Sequence, residues 1–188
     1  SGVTTAASLA SNDIFLKTDS LVYQVAYQKK QWAGNVFAYC LNDRGEISSC
    51  DATDPNGSTI KWNANKIIEG YATNWWDTDR AVITMDENGN GIPFRWTSGL
   101  TAEMKSWLED DENVLNYVRG DRSKEEHLPD GSGVNNPGGY LRDRITHFGD
   151  FVNSNPVHFS DVLFTGANDG ALHVFAATDL DGGATAYG

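Results

Sequence analysis

The sequence has few basic residues and no long hydrophobic segment, and each absence excludes a class of protein. Lysine and arginine number 14 against 26 aspartates and glutamates, for a formal net charge of −12. Phosphate-rich partners require basic side chains, so we expect no binding to nucleic acid or anionic membranes. No apolar run approaches the roughly 20 residues of a transmembrane helix. The first residues also lack the basic start and apolar stretch of a signal peptide, so we expect a mature or excised piece of something longer.

Cysteine is scarce, because Cys40 and Cys50 are the only two in the chain. No C-x-x-C motif and no neighbouring histidine accompany them, which argues against a catalytic or metal-binding role. They flank a turn at residues 42–45, so a disulfide across the base of this hairpin is geometrically reasonable. A disulfide predicts an oxidising compartment outside the cytoplasm. Two free thiols in a cytosolic β-protein are the alternative.

Strand-like segments dominate what is present. Asp150–Phe159, Val162–Gly166 and Ala171–Ala176 follow one another closely, and Asp169-Gly170 lies in the second connection. An Asp-Gly pair between β-rich runs favours a hairpin with a type I′ turn. These runs carry few charges, which suits strands buried on both faces. Further strands are predicted over residues 21–27, 35–41, 79–85 and 92–96. The pattern predicts an all-β, mainly antiparallel fold.

The middle of the chain is predicted to be helical. Thr101 is a suitable N-cap for a helix over AEMKSWLED, and a second helix is predicted over Asp111–Arg119 with Gly120 just beyond its end. The glycine- and proline-rich residues 121–139 predict a long loop. We therefore expect a flexible segment over residues 1–19 and one domain over residues 20–179, with a helical insert at about 100–120 and a tail over residues 180–188.

Several separate motifs, in order, carry a resemblance to one family. They are SLVYQVAYQKKQWAGNVFAYCL, RAVITMDENGNGIPFRW, VLNYVRGDR, LRDRITHFGDFVNSNP and GANDGALHVFAATD. The chain resembles the PilY-type proteins, tip-associated adhesin and biogenesis factors of bacterial type IV pili, in the first part of their C-terminal β-propeller. The strands suffice for about two four-stranded blades, whereas a closed propeller takes at least four. We therefore expect a partial or modified propeller with open edges that a second chain completes.

The resemblance implies a non-enzymatic, extracellular protein that caps or primes a pilus. Its expected partners are a pilin or minor pilins, with a host or abiotic surface as a further binding target. The alternative is a repeated structural subunit of an extracellular filament that assembles by strand pairing. GANDGALHVFAATD also resembles the blade motif of quinoprotein dehydrogenases, whose propellers hold pyrroloquinoline quinone and calcium. That hypothesis requires many blades, each sealed by a tryptophan, and this chain has one such motif without the closing tryptophan.

One turn could hold calcium. Asp86, Asn88 and Asn90 match the oxygen-ligand positions of D-x-[DN]-x-[DN]-G, but Thr97 stands where the bidentate acid belongs. A plain hairpin turn has the same appearance, so both interpretations stay open. A second, weaker calcium candidate is the DLDG sequence at residues 179–182.

Two other segments are candidate binding sites. Trp75 and Trp76 lie in an otherwise polar stretch and are the tryptophans we expect to be exposed. Arg119, Gly120 and Asp121 spell the integrin-binding tripeptide, although a helix end explains the same arginine and glycine. The four histidines share no spacing typical of metal or proton-transfer chemistry.

Overall fold

The computed structural model of the chain describes residues 9–11, 20–28 and 32–177. Most of the predicted flexible segment over residues 1–19, the whole predicted tail over residues 180–188 and the calcium candidate at residues 179–182 lie outside the described residues. Leu9–Ser11, inside the segment predicted to be flexible, form a strand. None of the described helices is long and apolar enough to cross a membrane.

The described residues form three separate antiparallel sheets and four short helices. The strands are β1 (Leu9–Ser11), β2 (Leu21–Gln28), β3 (Ala33–Cys40), β4 (Ile60–Asn63), β5 (Ile83–Met85), β6 (Gly91–Pro93), β7 (Val157–Phe159), β8 (Val162–Gly166) and β9 (Leu172–Ala176). The helices are α1 (Ala64–Glu69), α2 (Trp75–Thr78), α3 (Ala102–Trp107) and α4 (Glu112–Arg119). The predicted mainly antiparallel β class is confirmed, and the propeller stays a prediction.

The chain divides into two compact units. Of the described residues, those within 9–71 and 146–177 belong to the first unit, and residues 72–145 form the second. The first unit therefore contains the four-stranded sheet β1-β2-β3-β4, helix α1 and the three-stranded sheet β7-β8-β9. The second contains the hairpin β5-β6 and helices α2, α3 and α4. The assignment of residues 20–179 to one domain stays a prediction.

Aromatic side chains from both sheets form the core of the first unit. Tyr23 on β2 is fully buried, with its ring centroid 5.9 Å from that of Trp62 on β4. Trp62 in turn lies 6.2 Å from Phe175 on β9. The Tyr23 hydroxyl and the Trp62 Nε1–H donate hydrogen bonds to the carbonyl of Ala177, at 3.1 and 3.4 Å. These bonds satisfy the polar ends of two large buried rings and tie the end of β9 to the other sheet.

The three-stranded sheet differs from its prediction in strand length and turn type. Only Val157–Phe159 of the predicted first strand pairs with β8, because Pro156 lacks an N–H and the residues before it form a turn instead. The type I′ turn lies at Ser160-Asp161, where φ is 48° and 65°. At the second connection only Gly170 has positive φ, 85°, which fits a type I turn followed by a glycine bulge.

Both helices predicted for the second unit are present, although α3 ends at Trp107, three residues before the predicted end at residue 110, and their starts follow capping chemistry. The Thr101 hydroxyl accepts a hydrogen bond from the Met104 N–H at 3.2 Å at the start of α3. Asp111 caps α4 by accepting from the Asn113 N–H at 2.8 Å, and Gly120, with φ of 127°, ends that helix. The strand predicted over residues 79–85 is shorter, since β5 begins at Ile83 and helix α2 ends at Thr78.

Candidate functional site

The structure packs four of the five predicted binding residues against one another. Trp75 is 5% exposed, so the expectation that it faces solvent is wrong, while Trp76 is half-buried. Gly120 packs against both tryptophans, because a Cβ built on it would lie 3.1 Å from the Trp75 ring and 3.1 Å from the Cβ of Trp76. The guanidinium of Arg119 stacks over the Trp76 ring, 5.3 Å from the ring centroid.

Arg119 is held in place by an ion pair. Its Nη2 donates to Oδ1 of Asp77 at 2.9 Å, and its side chain is 4% exposed. The hydrogen bond from Arg119, ahead of the pairing with Arg95, holds the pKa of Asp77 below its usual value. The carboxylate of Asp121 accepts from the N–H and hydroxyl of Ser123. Arg119 is almost completely buried and its guanidinium joins the end of α4 to α2, and integrin-type binding by Arg119, Gly120 and Asp121 stays a prediction.

The calcium candidate in the second unit closes on itself as a hairpin turn between β5 and β6. One carboxylate oxygen of Asp86 accepts the backbone N–H groups of Asn88 at 2.9 Å and Asn90 at 2.7 Å. The other oxygen accepts the side-chain amide of Asn90 at 3.0 Å. These bonds use the oxygens that an ion would need, and they are the bonds expected of an Asx-type turn. Calcium binding by Asp86, Asn88 and Asn90 stays a prediction.

The predicted disulfide is present. Cys40 at the end of β3 is bonded to Cys50, with 5.2 Å between their Cα atoms. The backbone around it is paired as well, since the Ser48 N–H donates to the Cys40 carbonyl at 3.0 Å and the Cys50 N–H to the Ser58 carbonyl at 2.8 Å. The bridge therefore closes a small β-rich loop after β3, as the sequence predicted.

Two of the motifs that carry the family resemblance meet in the first unit. Asp169, in the GANDG turn, accepts hydrogen bonds from the Gly149 N–H at 2.8 Å and from His173 Nε2 at 2.9 Å. The backbone N–H of Asn168 donates to the Asp150 carbonyl at 2.9 Å, and their side chains are also bonded. These bonds attach the β8–β9 turn to the HFGD segment before β7, and the group formed by Gly149, Asp150, Asn168, Asp169 and His173 is called here the clamp. His173 is 2% exposed, and its hydrogen bond holds the Asp169 carboxylate in place within the clamp.

The clamp predicts a dependence of stability on pH. Burial alone would raise the pKa of Asp169, but the His173 hydrogen bond and charge, together with two backbone N–H groups, lower it to about 2 from 3.8. A lowered folded-state pKa stabilises the fold above the unfolded value, and this contribution of about 2 kcal/mol is lost as pH falls from about 4 through 2. Urea unfolding of the wild type and of Asp169→Asn at pH 6, 4, 3 and 2 measures it.

We expect the difference in the free energy of unfolding between the wild type and Asp169→Asn to be largest at pH 6 and to shrink steadily toward pH 2. Asp43→Asn, at an exposed turn position, is the control and should change stability by less than about 0.5 kcal/mol. If the difference in the free energy of unfolding between the wild type and Asp169→Asn stayed constant from pH 6 to pH 2, the ionised Asp169 carboxylate would not be the source of the stabilisation.

The sheet β7-β8-β9 carries apolar side chains on both faces. One face is buried in the core and includes Leu163, Thr165, His173 and Phe175. The opposite face, called here the outer face, consists of Val157, Phe159, Val162, Phe164, Leu172, Val174 and Ala176. The strand register places these seven side chains side by side, because Phe164 lies opposite both Val157 and Val174, and Val162 lies opposite both Phe159 and Ala176.

The outer face is open to solvent at its most hydrophobic positions. Phe159 is 72% exposed, Leu172 61% and Val157 58%. The other four members of the outer face are half-buried. Soluble monomers rarely expose contiguous apolar patches larger than a few hundred Å², and such patches mark interaction sites. The sequence indicated strands buried on both faces, and the outer face is the one that the described residues leave uncovered.

The described residues thus form mainly antiparallel β-sheets, and one of these sheets exposes apolar side chains on its outer face. No protein-family model matches the chain, and no solved structure matches it. The chain is similar, at 25% identity over 198 residues, to a type IV pilus biogenesis factor PilY1 homolog of Xylella fastidiosa (strain Temecula1 / ATCC 700964). The match covers 90% of this chain and 14% of that protein. The match agrees with the PilY-type resemblance of the sequence motifs.

Proposed function

We propose that the chain belongs to an extracellular component of a bacterial type IV pilus system and acts by binding another protein. The observation that carries this proposal is the outer face, with three side chains more than half exposed. An apolar sheet face of this kind gains free energy when a partner covers it, at roughly 25 cal/mol per Å². The similarity to the PilY1 homolog supplies the setting. The proposed occupant is a pilin or minor pilin.

Two further observations support a binding role without catalysis. The Cys40–Cys50 disulfide fits export through an oxidising periplasm to the cell surface. Two partly buried acids are bonded to basic side chains within the fold, Asp77 to Arg119 by an ion pair and Asp169 to His173 by a hydrogen bond. Such pairs act as structural links, and the proposal assigns no catalytic cofactor to the chain.

The test measures binding of the purified chain to purified pilin and minor pilins by biolayer interferometry. The Phe159→Glu, Leu172→Glu double variant is expected to weaken binding at least tenfold, because it places two charges in an apolar contact. Its melting temperature should match that of the wild type, since both side chains are exposed. The matched control is Ile83→Glu, Met85→Glu on the β5-β6 hairpin, whose side chains are 68% and 64% exposed.

The proposal fails if the outer-face variant binds as well as the wild type, or if no pilus protein binds. Retention of binding to host cells or plastic by the same variant would separate adhesion from assembly. Equal loss of pilin binding in the control variant would indicate a general effect of added acidic charge, and the outer face would then not be the binding site.

A second candidate function rests on strand β9. Leu172–Ala176 lie at the edge of their sheet and contain neither proline nor a charged residue, the features that usually block edge pairing. The chain could therefore repeat along an extracellular filament by strand pairing with a partner chain. Labelled antibody in electron micrographs distinguishes the two functions, since a filament subunit decorates the whole fibre and a tip component only its end.

A further inference from the structure

Glu126, His127 and Asp143 converge in the second unit. Each offers one ligand atom, and the three atoms all lie within 4.8 Å of one another. Among the residues that the structure describes, this is the one group of three or more acidic, histidine or cysteine side chains that lie so close together. We propose that these three side chains bind a divalent transition-metal ion, of which zinc fits the ligands best.

The segments that carry the three ligands are held in place by their immediate neighbours. Glu125 is fully buried, and its carboxylate accepts from Arg122 Nε at 2.9 Å and Arg144 Nε at 3.0 Å. The backbone is also paired, because the Glu126 N–H donates to the Leu141 carbonyl at 2.9 Å. The residue before the first ligand and the residue after the last one are therefore anchored, which preorganises the site.

The ligand atoms need only small movements to reach an ion. Zinc binds imidazole nitrogen and carboxylate oxygen at about 2.0–2.2 Å with tetrahedral geometry, so any two of its ligand atoms lie about 3.4 Å apart. His127 Nδ1 and Asp143 Oδ2 are 2.6 Å apart and share a hydrogen bond, which an ion would replace. Glu126 is exposed and can rotate toward the ion, whereas Asp143 is already held beside His127, because its Oδ1 accepts the His127 backbone N–H at 2.9 Å.

The ligand types favour a transition metal over calcium or magnesium. Imidazole suits zinc, copper, iron and nickel, whereas calcium and magnesium prefer shells made of oxygen atoms. A cavity of about 430 Å³, lined by His127 and Asp143 among others, adjoins the cluster. It leaves space for the water molecules that would complete a shell with three protein ligands.

Metal binding would join the two ends of a long loop. Residues 128–142 connect the ligands at 126 and 127 to the ligand at 143 and contain no helix or strand. A crosslink at the base of such a loop reduces the conformations available to it when it opens. The expected consequence is a more rigid loop between the ligands when zinc is bound.

The test is isothermal titration of the tag-free chain with zinc chloride in chelator-treated buffer. We expect one zinc ion per chain, no comparable heat with calcium chloride, and at least about tenfold weaker zinc binding in His127→Ala and in Asp143→Asn. Asp86→Asn, which alters the other candidate metal site, is the control and should bind zinc like the wild type. Hydrogen exchange across residues 128–142 should slow when zinc is added to the wild type and remain unchanged in His127→Ala.

Glu126→Gln provides an independent variant, because its side chain is exposed and the substitution should leave folding intact. It is expected to weaken zinc binding as well. The proposal is overturned if the wild type takes up no zinc, or if its affinity is unchanged in both His127→Ala and Glu126→Gln.

Discussion

Replacing Glu125 with glutamine is expected to lower the free energy of unfolding by about 3–5 kcal/mol, because the substitution leaves two guanidinium groups without their shared counter-ion. Glu125 is fully buried, and both of its oxygens are used. Arg122 is 22% exposed in its side chain and Arg144 12%, so water screens either charge only weakly. Removal of one member of a buried ion network costs far more than loss of a surface pair.

The two arginines also donate hydrogen bonds to backbone carbonyls, so the loss of Glu125 is expected to weaken contacts elsewhere in the second unit. Arg144 donates to the carbonyls of Tyr117 at 2.8 Å and Asp121 at 2.7 Å, which links the end of α4 to the segment before the first unit resumes. Arg122 donates to the carbonyl of Arg144. Through its two arginines, the Glu125 carboxylate therefore links Tyr117 and Asp121 to Arg144, in a region with little regular structure after α4.

Equilibrium unfolding in urea, followed by tryptophan fluorescence, measures the effect. Glu126→Gln in chelator-treated buffer is the matched control, since it makes the same chemical change at the next, exposed position and should cost less than about 0.5 kcal/mol. A loss below about 1 kcal/mol in Glu125→Gln would mean that the network is solvated and contributes little.

Replacing Gly34 with alanine is expected to cost about 3 kcal/mol, because the new methyl group has no room. A Cβ at this position would lie 2.0 Å from the Gly149 carbonyl oxygen and 2.7 Å from two ring atoms of Phe151. The oxygen belongs to backbone that is already paired, since the neighbouring Phe148 carbonyl accepts from the Gly34 N–H at 3.1 Å. Neither neighbour can withdraw without breaking the contact between β3 and the segment before β7.

Thermal and urea unfolding of Gly34→Ala against Gly91→Ala tests this explanation. Gly91 also lies in a strand, but a Cβ there meets only Ile83 Cγ2 at an ordinary 3.5 Å. We expect Gly91→Ala to change stability by less than about 1 kcal/mol. Similar losses in the two variants would show that the close approach at Gly34 relaxes easily.

The proposed function and the structural clamps concern different surfaces. The HFGD and GANDG motifs, which carried much of the family resemblance, hold the β8–β9 turn through Asp150 and Asp169. Their side chains form bonds within the fold, while the outer face on the other side of the same sheet is where we propose that a partner binds. A binding function therefore depends on the clamp only through the shape of the sheet that it stabilises.

Local features of the fold could be predicted from the sequence because they depend on near neighbours. Alternating or continuous β-branched and aromatic residues identified β2, β3, β8 and β9, and capping residues identified α3 and α4. The disulfide followed from two cysteines on either side of a short turn. The predicted first strand before β8 was too long, because its early residues are committed to a turn and to distant hydrogen bonds that no local pattern shows.

What the sequence determined by itself was the strand-rich class, the helix ends, the acidic surface and the pairing of Cys40 with Cys50, all of which depend on composition or on residues close in the chain. Tertiary structure alone decided that Trp75 and Arg119 are buried, that the outer face stays open, and that Asp143 meets His127. The physical reason is that burial and ligand geometry depend on contacts between residues far apart in sequence, which a local pattern cannot specify. An apolar strand carries the same signal whether one of its faces is covered or both.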